Sequence, residues 1–290
     1  MELWFVLAGI TALFWGSAGI FAKLSTPRIG VARVALLIAV VESVMYTTAF
    51  LVFREDVPIS LADGALALGS CVIGVLGFLC FFESLMDGQV AIAGTISAAY
   101  PALTVVGALV FLAETLTAAQ GLGVAIIIAG VVALSYEPNP GSANATPKRS
   151  LIFAFLAFGL WGLWSLTSKM AIDRVGAGNL FGFYVMSSLT APVLYYWFRR
   201  MRPGGQTGLS PTRTAWVLGA LGLAVNVVGA LTYSFALEDG NASLVVPISS
   251  AYPIVTVVLA IGVLKEKISK LQGLALAVVV IGLVMIGLTL

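Results

Sequence analysis

Residues 87–106 read Asp-Gly-Gln-Val-Ala-Ile-Ala-Gly-Thr-Ile-Ser-Ala-Ala-Tyr-Pro-Ala-Leu-Thr-Val-Val. Residues 239–258 read Asp-Gly-Asn-Ala-Ser-Leu-Val-Val-Pro-Ile-Ser-Ser-Ala-Tyr-Pro-Ile-Val-Thr-Val-Val. Tyr100-Pro101 recurs as Tyr252-Pro253, 152 residues on. In a membrane protein a duplicated half is the mark of an alternating-access carrier with its binding site between the halves.

The chain surrounding this repeat is 60% hydrophobic and 10% charged over 290 residues. A soluble domain carries about 25% charge, so the natural solvent of this chain is a bilayer. A net charge of +2 gives no footprint for nucleic acid. There is no histidine, which removes His-based triads, His metal sites and His proton relays together. Neither a metal nor a cofactor is expected. Cys71 and Cys80 lie nine residues apart in one apolar run, roughly 13 Å along a helix, too far to pair; they read as buried thiols.

Ten segments match the about 20 residues a helix needs to cross a bilayer: 3–21, 31–53, 63–84, 90–112, 118–136, 151–170, 178–198, 214–237, 242–264 and 271–289. The first lacks a basic leader and reads as a retained span. The runs are continuously apolar, which excludes a β-barrel. The expected fold is an all-α integral membrane protein of ten transmembrane helices. Its first five-helix repeat is residues 1–137, its linker 138–150 with Pro138, Pro140 and Pro147, and its second repeat 151–290. An odd number of spans per half makes the second copy enter from the opposite side, so the repeats are inverted. Eleven Lys and Arg fall in the loops 1–2, 5–6, 7–8 and 9–10, against three (Arg54, Lys169, Arg174) on the other side. Taken alone, that count puts both termini outside the cytoplasm.

The duplication extends beyond Tyr-Pro. Trp15-Gly16 through Lys23 parallels Trp161-Gly162 through Lys169 at an offset of 146, and Arg28 parallels Arg174. Leu112-Ala113-Glu114 parallels Leu264-Lys265-Glu266, and Gln120-Gly121 parallels Gln272-Gly273, both at 152. The six-residue growth in offset is expected in the loop Arg199 to Arg213. With these motifs in this order and in two copies, the chain resembles the drug/metabolite transporter superfamily, EamA type. The resemblance covers nearly all of 3–289. It implies an inner-membrane carrier of small metabolites, often an exporter, with a central cavity between the halves and cytoplasmic termini.

The repeated residues each carry two readings. Pro101 and Pro253 in mid-span, with the extra Pro247, kink their helices. Ser97, Thr104, Ser249 and Thr256 stand at helical spacing from those kinks. Tyr100 and Tyr252 would then place hydroxyls in a cavity, or merely shape helix packing. Trp15 and Trp161 sit about 18 Å inside their spans, too deep for interfacial anchors, and read as cavity lining or core; Ser17 and Trp164 would be neighbours there. Asn226 and Tyr233 are deep polar groups, for substrate or for helix–helix hydrogen bonds. Glu42 is about 15 Å from either end of its span, where a carboxylate costs several kcal/mol unless paired or protonated. It is therefore the candidate coupling acid, or a structural acid with an internal partner. Glu83 reads as interfacial, and Lys23, Lys169, Glu114 and Glu266 as rim groups. Gly121, Gly123, Gly130, Gly273, Gly282 and Gly287 mark spans 5 and 10 as a scaffold or dimer surface.

These features favour a secondary active transporter of a small amino acid-like, aromatic or cationic solute, an exporter or exchanger with protons as candidate coupling ion. No Walker motif is present to couple it to ATP, and no converging nucleophile and base suggests an enzyme. The alternative is a channel or a structural membrane subunit. Expected partners are the solute and the lipid bilayer of the cell (inner) membrane, with the chain as monomer or homodimer.

Overall fold

The computed structural model describes residues 2–87, 90–135, 148–201, 211–265 and 269–290. The first half holds α1 (Leu3–Ile29), α2 (Val31–Phe53), α3 (Leu61–Asp87), α4 (Val90–Ala98), α5 (Tyr100–Phe111) and α6 (Ala118–Ser135). The second half repeats the order with α7 (Lys148–Val175), α8 (Ala177–Arg200), α9 (Arg213–Asp239), α10 (Ala242–Ser249), α11 (Tyr252–Leu264) and α12 (Lys270–Gly287). Helices α4 and α5, and again α10 and α11, form one span each, interrupted at Ala99 and at Ser250–Ala251. Among the described residues nine spans are long and apolar enough to cross a membrane; the tenth crossing, α8, is 24 residues long.

The duplicated sequence makes duplicated local structure. Gly30 and Gly176 both take positive φ, 84° and 81°, to turn the chain between the first two helices of each half. Among the described residues Ala113 and Lys265, 152 residues apart, are the positive-φ residues other than glycine, at 52° and 58°. The Gln of each Gln-Gly pair closes a reciprocal cap with the residue three before it. Gln120 N–H donates to Thr117 Oγ1 at 3.2 Å and Thr117 N–H to Gln120 Oε1 at 3.0 Å. Ser269 and Gln272 repeat this at 3.2 and 2.9 Å. Each cap satisfies two helix-terminal N–H groups.

Because each half crosses five times, the halves pack as inverted images. The contact of α1 with α9 is the image of that of α7 with α3, while α2 meets α8 and α6 meets α12. Equivalent helices touching each other place the pseudo-two-fold axis between them. Glycines allow the α6–α12 approach: a Cβ on Gly130 would stand 2.5 Å from Val279 Cγ2, and one on Gly282 2.8 Å from Ile127 Cγ1. These two spans are each other's partners within one chain, while Gly121 faces open space. Outward residues such as Val40, Val44, Phe111, Phe155 and Leu194 remain exposed, an apolar belt suited to lipid.

Two expectations are corrected. The first span does not end at residue 21: α1 runs to Ile29, and Lys23 and Arg28 are inside it. Likewise α7 runs to Val175 past Lys169. A lysine does not stop a helix, since its stem can lie along the apolar surface; the chain turns only where glycine permits positive φ. Glu83 is buried rather than interfacial. It pairs with Arg149 at 2.6 Å and Arg199 at 3.3 Å, and Tyr195 donates to it at 3.1 Å.

Both termini and the connections α2–α3, α5–α6, α7–α8 and α9–α10 lie at one end of the bundle, the termini end. The C-terminal ends of α1, α3, α6, α8 and α11 and the N-terminal end of α7 lie at the other, here called the linker end.

Candidate functional site

Seven of the eleven side chains selected from sequence meet around one cavity of about 300 Å³: Trp15, Glu42, Tyr100, Trp161, Trp164, Asn226 and Tyr252. The wall comes from the linker-end halves of its helices, including Thr26 of α1, Val34 of α2, Phe82 of α3 and Gly219 of α9. The cavity therefore reaches toward the linker end.

Its floor is two aromatic groups related by the two-fold axis, each built across the two halves. Trp15 lies 5.1 Å from Tyr233 and 6.3 Å from Tyr252, centroid to centroid. Trp161 lies 5.2 Å from Phe81 and 5.9 Å from Tyr100. Each indole rests on a glycine of the other half. A Cβ on Gly229 would come within 2.5 Å of Trp15 Cδ1, and one on Gly77 within 2.7 Å of Trp161 Cδ1. Gly77 and Gly229 are themselves 152 residues apart.

The Trp-Gly and Tyr-Pro motifs explain one another. Pro101 and Pro253 restart α5 and α11 just after each break. Thr104 Oγ1 donates to the Gly162 carbonyl at 3.1 Å, and Thr256 Oγ1 to the Gly16 carbonyl at 2.9 Å. Gly16 and Gly162 allow this approach: a Cβ on either would stand 2.5 Å from Val255 Cβ or 2.8 Å from Leu103 Cδ2. Each motif pair thus joins the broken span of one half to the first span of the other.

Among the described residues Glu42 is the one charged group in the lining. Ser188, its repeat equivalent at an offset of 146, donates to Glu42 Oε2 at 2.6 Å. Equivalent positions of the two copies, carrying different residues, therefore touch on the axis. One helical turn deeper, the Tyr46 and Tyr184 rings stack at 4.9 Å, and Trp164 Nε1 donates to Tyr184 Oη at 2.9 Å. The arrangement can hold a small solute among aromatic faces beside a single carboxylate. Such faces attract cations as well as apolar surface.

Four selected residues lie outside the lining. Ser17 faces away from the cavity and donates to Leu13 O at 2.7 Å; two residues beyond Trp15, it sits on the far side of a 3.6-residue turn. Ser97 is buried and donates to Ala154 O at 3.4 Å, and Ser249 is buried and donates to Ala8 O at 3.5 Å. Tyr233 is buried behind Trp15 and Trp164. The serines thus bond first-span carbonyls of the opposite half instead of serving the kinks. Pro247 is buried inside α10. The sequence reading missed Tyr46, Tyr184, Phe78, Phe81, Phe82 and Pro192, all of which line the cavity. Two had a signal: Tyr46 follows Glu42 by four, one helical turn, and Phe81 is the repeat image of Tyr233.

The termini end is closed by contacts between loops and helix ends. Both Glu114 oxygens accept N–H groups that open α10, Ala242 and Ser243, each at 2.8 Å. Lys169 Nζ donates to Leu237 O at 2.8 Å and pairs with Asp173 at 2.8 Å. Glu238 accepts Ala177 N–H at 2.8 Å. Glu266, the repeat image of Glu114, lies outside the described residues.

The model of the EamA-like transporter family matches residues 2–136 and again 148–288. An uncharacterized protein of Methanocaldococcus jannaschii is 27% identical over 135 residues, taking in 98% of that protein and 47% of this chain. A stretch of about one repeat thus matches nearly the whole of that relative. A solved crystal structure superposes with a TM-score of 0.80 at 19% identity, covering 99% of this chain and 96% of that one; this likeness is one of fold.

Proposed function

The chain belongs to the EamA-like transporter family, and from that premise we propose that it is a secondary active carrier, an exporter or exchanger of the cell membrane. Its solute is small and either amino acid-like, aromatic or cationic. The observation that carries the reading is a cavity of about 300 Å³ with many aromatic walls and one carboxylate, whose described lining comes from the linker-end halves of its helices. A multiply charged anion would want several deep Arg or Lys, and among the described residues none lines this space.

Turnover requires the two halves to rock about their shared axis, closing the linker end as the termini end opens. Glu42 and Ser188 stand on that axis, so the carboxylate stays at the centre in both states. There it can take a proton from one side and release it to the other, exchanging its Ser188 partner for the proton or for a cationic solute.

The test begins with a thermal-shift panel of amino acids, aromatic amines and sugars on purified protein, since a bound solute stabilises the folded state by mass action. Uptake of the best binder into proteoliposomes is then driven by a pH gradient. Glu42→Gln abolishes driven accumulation and leaves solute exchange. Driven accumulation surviving intact in that variant removes Glu42 from the coupling step.

A further inference from the structure

The two halves correspond residue to residue at fixed offsets, so each residue of the open cavity has a counterpart toward the termini end. The offset is 146 for α1 with α7 and α2 with α8, as Gly30 with Gly176 fixes. It is 152 for α3 with α9, where the Phe81–Trp161 contact of 5.2 Å and 42° reproduces the Tyr233–Trp15 contact of 5.1 Å and 41°.

Carried through these offsets, the lining changes chemistry. Gly19 becomes Ser165, Ala22 becomes Ser168, Gly222 becomes Ser70, Phe82 becomes Ser234 and Phe81 becomes Tyr233. All five images are buried, none more than 2% exposed. Ser165 Oγ and Tyr233 Oη have only each other as side-chain partners, and a buried polar group left under-paired costs about 1–3 kcal/mol. Ser70 and Ser168 bond each other at 2.9 Å, with Thr167 donating to Ser70 at 3.1 Å. Only nearer the mouth does the trend reverse, with Ser25 and Thr26 imaged by Ala171 and Ile172.

We propose that these hydroxyls form a second vestibule, opening at the termini end, that receives the hydrogen-bonding end of the solute, an ammonium, hydroxyl or amide group. The inference rests on the alternating-access reading above and adds the chemistry of the other half-cycle. The hydroxyls pair among themselves in the state described and turn to solute in the other. The two vestibules differ: one is aromatic and glycine-lined, the other hydroxyl-lined. A solute with a ring at one end and a polar group at the other suits both.

Cys71 is a native reporter. It is fully buried and is the image of Leu223, which lines the open cavity. Wild-type protein in proteoliposomes is exposed to a membrane-impermeant maleimide, with and without a phenylethylamine counterflow, and the label is mapped by mass spectrometry to Cys71 or Cys80. Labelling of Cys71 is expected to rise about ten-fold during turnover, as when a state held at a few per cent becomes a major one. Ser165→Ala and Ser168→Ala are expected to slow counterflow while leaving phenylethylamine binding to the resting protein unchanged. Counterflow by a wild type whose Cys71 stays unlabelled, or wild-type counterflow in both serine variants, overturns the vestibule and leaves the carrier reading standing. No saturable transport of any panel solute by wild type takes both down.

Discussion

Gly229→Ala tests whether the aromatic floor is built as described. The added Cβ would stand 2.5 Å from Trp15 Cδ1 and 2.8 Å from Nε1. Carbon atoms normally meet at about 3.5–4.0 Å, so the indole must retreat by about 1 Å. It has little room: Tyr233 is at 5.1 Å, Tyr252 at 6.3 Å, and Nε1 donates to the Asn226 carbonyl at 3.3 Å. Overpacking of this kind costs about 1–3 kcal/mol, and loss of the hydrogen bond about 1 kcal/mol. Alanine returns about 1 kcal/mol of helix propensity, which leaves a net destabilisation of about 1–3 kcal/mol. Gly9→Ala is the control, because a Cβ there meets nothing within 4 Å and only the propensity gain remains. Denaturant or thermal unfolding in a mild detergent, followed by tryptophan emission, reads both variants. Gly229→Ala protein as stable as wild type would show that Trp15 is not seated on Gly229.

Ser188→Ala removes the 2.6 Å bond to Glu42 and is expected to cost about 1.5–3 kcal/mol; the cost should shrink in a Glu42→Gln background, as a double-mutant unfolding cycle measures. Glu83→Ala strands Arg199, whose side chain is 9% exposed, at about 3–5 kcal/mol. Arg149→Ala, at a side chain 44% exposed, is expected to cost under about 1 kcal/mol, and the same melting experiment ranks the two. Thr104→Val and Thr256→Val each lose one bond between the halves, about 1 kcal/mol apiece. The two sites share no partner, so the double variant should be additive to within about 0.5 kcal/mol.

The fold was readable in the chain because bilayer spans need long apolar runs and because the chain writes its design twice. Span counting gave five crossings per half, hence inversion, and the two offsets made the duplication visible in the chain itself. Helix ends were read less well. Lys23 and Asp173 looked like loop residues, yet only Gly30 and Gly176 supply the positive φ that turns the chain. Depth with repetition picked out Trp15, Trp161, Tyr100 and Tyr252, and depth alone Glu42, all of which line the cavity. Serines at helical spacing were misleading, since a serine in a dry span bonds the nearest carbonyl, as Ser97 does to Ala154. Apolar lining such as Phe78 and Phe82 gave no signal, because lipid-facing and cavity-facing phenylalanine read alike in one sequence. Glu83 was misplaced because its partners Arg149 and Arg199 come from helices far along the chain.

Counterflow in proteoliposomes tests the carrier most directly. Vesicles are loaded with unlabelled phenylethylamine, or the best binder of the panel, and labelled solute is supplied outside at trace level. A carrier with one cavity between two rocking halves gives transient, saturable accumulation of label above equilibrium that depends on solute inside. Label that only equilibrates, at a rate that neither saturates nor responds to the loaded solute, would identify a channel and contradict alternating access.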